Sequence, residues 1–288
     1  MKLKNCLKPV LLTAVVALTA VSSVSAAKAK KDTRTLSVTM KVADFNSVDV
    51  SNGITVNYTK GKKALKVTGK AYILDHFKAY VKNGELTLKV SKDFFNKFSS
   101  IKSGDIIVTL SSPDLVEVEA SSGSAFNVSS ALTVSDSFTA DVSSGAAVNI
   151  TGLTGKKLDI DVSSGAACNV NTANVDLLYV DLSSGSATNI TAATATIVSA
   201  DLSSGSSLNI GKTTSDKVTI DASSGSSVNI AGTCTTLNVD ASSGCVLNMP
   251  KLKSGTANID ASGGSSVRYN ATKSNVEKDI TASVSNHN

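Results

Sequence analysis

Eight carboxylates recur at near-equal intervals through the second half of this chain: Glu119, Asp141, Asp161, Asp181, Asp201, Asp221, Asp240 and Asp260. Each stands two residues before Ser-Ser-Gly or, at the last, Ser-Gly-Gly, and the starts lie 22, 20, 20, 20, 20, 19 and 20 residues apart. Carboxylates stacked this way can do one of two things: hold cations between them, or accept hydrogen bonds from the turn that follows. Neighbours about 4.8 Å apart repel by roughly 1 kcal/mol in water and several times that in a protein-like medium, so compensation is expected. Calcium would need about six to eight oxygens, and the β-rolls that bind it use a glycine-rich nonapeptide that is absent here. The spacing therefore predicts local capping of turn amides and serine hydroxyls, with solvent screening as the remaining option.

A second column is made of amides: Asn127, Asn149, Asn169, Asn189, Asn209, Asn229 and Asn248. Alternation points it outward, where stacked amides can form a ladder. Nucleophilic or acid–base constellations are missing. His76 and His287 are the only histidines, and an acid–base pair needs two carboxylates in different environments, whereas these repeat alike on every coil. Cys168, Cys234 and Cys245 follow no disulfide or metal spacing and read as small buried residues. Lysines gather in the variable part of the period: Lys156, Lys157, Lys212, Lys217, Lys251 and Lys253. They read as a solvated edge, and as the place to look for recognition together with the irregular N-terminal region. No residue is assigned a catalytic, cofactor-binding or metal-ligating role, and no cofactor is expected.

These residues must be positioned by one repeated unit. In residues 141–160, DVSSGAAVNITGLTGKKLDI, apolar side chains fall at Val142, Val148, Ile150, Leu158 and Ile160 with polar residues between them, the period of a strand. Gly145 and Gly155 punctuate two turns, so each period is read as two strands and two turns. Stacking such units gives an all-β, single-stranded parallel β-helix of about eight 20-residue coils, roughly 40 Å long and right-handed by the crossover rule. Val128, Ile150, Val170, Ile190 and Ile210 form one interior column; Phe138, Leu158, Leu178, Val198 and Val218 form another.

Residues 1–26 read as a signal peptide: Lys2, Lys4 and Lys8, an apolar run from Val10 to Val21, then Val24-Ser25-Ala26. Cys6 precedes the apolar run, which argues against a lipid anchor. Without the three signal lysines, 25 basic face 23 acidic residues, a balance that gives nucleic-acid binding no support. No other stretch reaches the roughly 20 apolar residues of a membrane span. Residues 27–110 form an irregular β-rich region capping or extending the helix. Within it DVSNGITVNY (49–58) is a degenerate copy of the repeat, and Asn83-Gly84 marks a tight turn. AYILDHFKAY (71–80) fits a strand or one or two helical turns, and DFFNKFSS (93–100) a loop or short helix over the open end. Residues 111–270 are the repeat β-helix, and 271–288 a C-terminal cap or tail, since terminal coils expose apolar interior and unpaired backbone.

With these segments in hand, the chain resembles the GIN-domain family, described as heads of auto-transporter adhesins and common in Bacteroidetes. The resemblance covers about residues 36–288. It rests on FNSVDVSNGITVNYTKG (45–61), VKNGELTLKV (81–90), SSPDLVEVEASSGS (111–124) and DASGGSSVRY (260–269). It implies a pectin-lyase-like β-helix without that superfamily's catalytic residues, and a role in adhesion at the cell surface. No membrane barrel follows the repeats. The reading is thus a non-enzymatic, exported adhesion or cell-envelope module in the periplasm, on the outer-membrane surface or outside the cell, with surface glycans or host or envelope proteins as partners. The alternatives are a carbohydrate-active enzyme on the β-helix and a periplasmic structural protein.

Overall fold

The structure, a computed structural model, describes residues 32–98, 100–102 and 104–288; the signal segment lies outside them. The repeats form the expected parallel β-solenoid of about eight turns. Neighbouring coils pair in register: Asp161 lies opposite Asp181, which lies opposite Asp201, and Val170 opposite Ile190, which lies opposite Ile210.

The Ser-Ser-Gly corner is a tight turn with both central residues left-handed. Ser184 has φ 52° and Gly185 φ 70°, and Ser186 N–H closes the turn on the Ser183 carbonyl at 3.2 Å. Positive φ at both positions defines the type I′ geometry. Glycine suits the second position, while serine at the first accepts a backbone strain worth roughly 1–2 kcal/mol. The corners also bond to one another: Gly145 N–H donates to the Ser164 carbonyl and Gly165 N–H to that of Ser184, both at 3.1 Å. The residue after the glycine turns inward, and at Ser124, Ser206, Ser226 and Ser265 its hydroxyl reaches a carbonyl of a neighbouring coil, as Ser206 does to Leu182 at 3.0 Å. The buried Ser186 hydroxyl finds no partner among the described residues.

The rest of the coil differs from the two-strand expectation. Ala167–Leu182 and Ala187–Leu202 are continuous extended stretches of 16 residues. Along the first, Cys168 and Val170, then Ala173 and Val175, then Leu178, Val180 and Leu182 are buried. The alternation slips phase twice, so each coil has three inward-facing stretches, joined by two gentle bends and one sharp turn. Gly155 is no turn; it lies on the middle face opposite Val175. A Cβ there would stand 2.5 Å from Val134 Cγ2 in the coil before. Departures from 20 residues fall at the gentle bends. The 19-residue interval drops one residue between Ile230 and Gly232, where the register shifts and the glycine takes φ +127°.

The N-terminal region joins the same stack out of chain order. We label its elements β1 (Thr35–Met40), β2 (Ser47–Val50), β3 (Thr55–Lys60), β4 (Ala64–Lys70), α1 (Ala71–Leu74), β5 (Phe77–Lys82), β6 (Glu85–Val90), α2 (Lys92–Lys97), β7 (Ile106–Ser112), β8 (Glu117–Ala120) and β9 (Ala125–Val128). The degenerate copy supplies β2 and β3, which pair in parallel with β8 and β9 of the first regular coil on one side. On the other side they pair in parallel with β6 and β7. Beyond these, β5 runs antiparallel to β6, β4 antiparallel to β7, and β1 antiparallel to β4 at the edge. Asn83 and Gly84 both take positive φ in the predicted tight turn. Residues 71–80 divide between α1 and β5, and 92–97 are helical. Ile73 and Phe94 are fully buried in the continuous core, and Phe94 packs 4.9 Å, centroid to centroid, from Phe98.

The last coil continues past residue 270. Strand Ser266–Lys278 pairs in parallel with the preceding coil, and Ser283–Asn286 pairs with it in turn. Asp279 finishes the column of corners: its carboxylate accepts from Gly263 N–H, Thr281 N–H and Ala282 N–H, all at 2.9 Å, and from the Thr281 hydroxyl at 2.7 Å. Lys278 pairs in register with Ala261 but is exposed, and a charge on this open edge discourages another chain from pairing.

Candidate functional site

The acidic column is real and longer than the repeat suggested. Parallel register runs it from Asp49 through Glu119 and on to Asp260 and Glu277. Asp49 was hidden in the degenerate copy, and Glu277 lies after a shortened coil, so a fixed period misses both. The capping expectation is overturned. The corner amides already have backbone partners, with Gly185 N–H bonding to the next coil, Ser183 N–H to the preceding one and Ser186 N–H to its own turn. The side chains of Asp161, Asp181 and Asp201 accept no hydrogen bond and form no ion pair among the described residues. Desolvation first, and the neighbouring carboxylates second, raise the carboxyls of Asp161, Asp181, Asp201 and Asp240 above the ordinary range. Glu119 is raised by the same causes, desolvation first and then the charge of Asp49. Among the described residues no group of three or more His, Cys, Asp or Glu side chains is arranged to hold a metal.

The asparagine column behaves as predicted over most of its length. Asn127 donates to Asn57 at 3.1 Å, Asn149 to Asn127 at 2.8 Å, Asn169 to Asn149 at 2.9 Å and Asn189 to Asn169 at 3.2 Å. A second ladder, Asn275 to Asn258 to Asn238 at 3.0 and 2.9 Å, lies on the acidic face. Beside it is a shallow groove of about 440 Å³ lined by Asp221, Asp240, Asp260 and Glu277.

The three cysteines are buried and unpaired, as read from the sequence. Burial pushes the Cys168 thiol up to about 12 and that of Cys234 to about 11, which removes them as nucleophiles. His76 lies with Ser91 Oγ 3.3 Å from Nδ1 and its ring edge-on to Phe94, in the N-terminal cover. His287 sits at the opposite end, its N–H bonded to the Tyr269 carbonyl at 2.8 Å. The lysines do not share one edge. Lys157 and Lys217 point out from the acidic face, in one column with Leu177 and Ile197, while Lys253 stands on the middle face opposite Thr233.

That column, with the one beside it, holds what the sequence reading missed. Lys157, Leu177, Ile197 and Lys217 form the first; Asp159, Tyr179, Ser199 and Thr219 the second. Tyr179 is 38% exposed. The Lys157 ammonium lies 4.7 Å from its ring centroid and 2.6 Å from Asp159. The signal was present: Leu177 and Ile197 are apolar at outward positions of the variable part of the period.

Coils in register, filled by small aliphatic side chains and closed at each end by different means, define a class of parallel β-solenoid. The family profile described as "Putative auto-transporter adhesin, head GIN domain" matches residues 44–217 and 208–286, and the chain belongs to that family. Solved structures share the fold. A "putative adhesin" from Parabacteroides merdae superposes with a TM-score of 0.67 at 18% identity, covering 88% of this chain and 95% of that one. One from Parabacteroides distasonis gives 0.67 at 21%, covering 89% and 98%. A "putative lipid binding protein" from Parabacteroides distasonis gives 0.67 at 16%, covering 88% and 95%. No curated protein matches the sequence. Among the described residues no helix is long and apolar enough to cross a membrane.

Proposed function

We propose that this protein is a non-enzymatic, exported module of adhesion or cell-envelope interaction. The carrying observation is the register of the coils: it lines up outward side chains in straight columns along flat faces, a surface suited to an extended partner rather than to a single reacting bond. The adhesin description of the family and the signal-like residues 1–26 agree with this reading. Surface glycans and host or envelope proteins are the partners to test. A lipid carrier with its ligand inside the rod is disfavoured, because Leu178, Leu182, Leu208 and Ile210 already fill the interior.

The experiment is a binding screen of the mature protein against glycans, mucin and envelope polymers. Binding to at least one is expected, and failure against all would sink the adhesion reading. Turnover of a polysaccharide, abolished by one substitution on a single coil, would replace it with an enzyme. Protease accessibility in intact cells separates a surface module from a periplasmic structural protein.

A further inference from the structure

We propose that the outward shelf formed by Tyr179, Leu177 and Ile197, beside the carboxylates of Asp161, Asp181 and Asp201, is a docking surface for a basic polypeptide segment. This deepens the interaction reading above and rests on it.

The shelf breaks the rule that governs the rest of its face. Later members of its two columns are Thr236 and Thr256, and Asn238 and Asn258. Only in the coils of Leu177 and Ile197 do two stacked neighbours in these columns place large aliphatic groups outward. Tyr179 lies between the column of Leu177 and that of Asp181 on the same strand, since outward residues alternate along it. An exposed aromatic next to aliphatic neighbours is the composition of an interface centre. Ser199, the next residue in the tyrosine's column, has no side chain long enough to cover the ring.

Charge selects the occupant. The three carboxylates stand in register, one per coil, with no partner of their own. Lys157 is engaged by Asp159, leaving Lys217 as the exposed positive charge at the shelf's far side. Arginine or lysine from a partner would lay its aliphatic stem on Tyr179 and pair its head with the ladder one outward position further, while the partner's own apolar groups rest on Leu177 and Ile197. Lys157 already shows that the Tyr179 ring accepts a cation. An acidic polymer would be repelled, and a neutral sugar would gain nothing from the ladder.

The test uses the mature chain and a fluorescein-labelled Arg-Ser repeat peptide, with a Glu-Ser repeat peptide as control and chitosan oligomers as competitor. The Arg-Ser peptide is expected to bind with strong salt dependence and the Glu-Ser peptide not to bind. Tyr179→Ser copies the neighbouring coil and so should fold; it should weaken binding about tenfold or more. Asp181→Asn should weaken binding and flatten the salt dependence, while Asp260→Asn, in the same column but distant along the rod, should change neither. Equal binding by Tyr179→Ser, or an equal loss with Asp260→Asn, overturns the shelf in favour of diffuse attraction to acids. Chitosan binding that depends on Tyr179 when the peptide does not bind overturns it in favour of an amino-sugar polymer. If the peptide fails while mucin or a glycan still binds, the shelf is wrong and the adhesion reading stands. If nothing binds, both fall.

Discussion

The two ends of the solenoid face the same problem, an open edge of backbone and exposed apolar interior, and they solve it with different chemistry. The N-terminal end uses packing: antiparallel β5, β4 and β1 extend the sheets, while α1 and α2 contribute Ile73 and Phe94 to the core. The C-terminal end uses a short strand and a few polar side chains, Asp279, Thr281 and Asn286. Thr281 Oγ1 accepts the Gly264 N–H that a further coil's carbonyl would otherwise accept, and Asp279 holds Thr281 and takes the Gly263 N–H. Among the described residues nothing covers Val276, which is 41% exposed at an inward column position. A solenoid can be finished by burying its last coil or by satisfying its last hydrogen bonds. The first route needs tens of residues of irregular sequence, and the second needs a few polar side chains.

Breaking the packed end should cost most. Phe94→Ala removes a fully buried ring and is expected to destabilise the protein by about 3–5 kcal/mol, read as a lowered midpoint in chemical denaturation. A loss below about 1 kcal/mol would mean that α2 is not part of the cover. At the other end, Asp279→Ala should produce a smaller and local effect, with faster hydrogen exchange at the Gly263 and Ala282 amides and little change in global unfolding. Uniform acceleration throughout the rod would show that the two ends are not independent. Smallest is a substitution between the ends. Ser184→Gly relieves a left-handed serine and should stabilise by up to about 1 kcal/mol, because only part of the strain is regained against glycine's greater unfolded freedom.

Acidity sharpens the same contrast, because the two kinds of carboxylate shift in opposite directions. Asp279 is held down to about 2, first by the Gly263 amide and then by the Thr281 hydroxyl. Its folded value lies below the unfolded one, so its contribution is complete above the ordinary carboxylate range and is lost as pH falls toward 2. Asp161, Asp181 and Asp201 are raised, so the folded state binds protons more readily than the unfolded chain. Their ionisation costs stability, which returns as pH falls through their folded values into the ordinary range. Thermal midpoints should therefore rise slightly on mild acidification before falling in strong acid, and Asp181→Asn should reduce the initial rise. A midpoint that falls steadily from neutrality would mean that the ladder is compensated in solution.

Much of this was legible in residues alone. The spacing of Ser-Ser-Gly gave the coil length, alternation gave the columns around Ile150 and Leu158, and DVSNGITVNY was recognisable as a copy. The second turn was misread because the gentle bends leave no punctuation. Their mark is two consecutive outward residues, such as Asn171 and Thr172, which a reading tuned to glycine passes over. The same error left the outward positions of Leu177 and Ile197 unread and so concealed the Tyr179 shelf. The acids were misassigned because their position before the turn suggested local bonds, whereas the donors had gone to backbone carbonyls.

The sequence by itself determined the repeating unit, because the strand period and the turn residues are local properties written again in every coil. Only the tertiary structure decided the order of stacking. β2 and β3 are threaded between β6 and β7 on one side and β8 and β9 on the other, although β6 and β7 come later in the chain than β3. Strand pairing is a contact between distant residues, and where the intervening loops have no period, nothing local specifies the partner. The fate of the carboxylates was decided at that level too. An aspartate's neighbours in sequence are fixed by its own coil, but its electrostatic environment comes from the coils above and below.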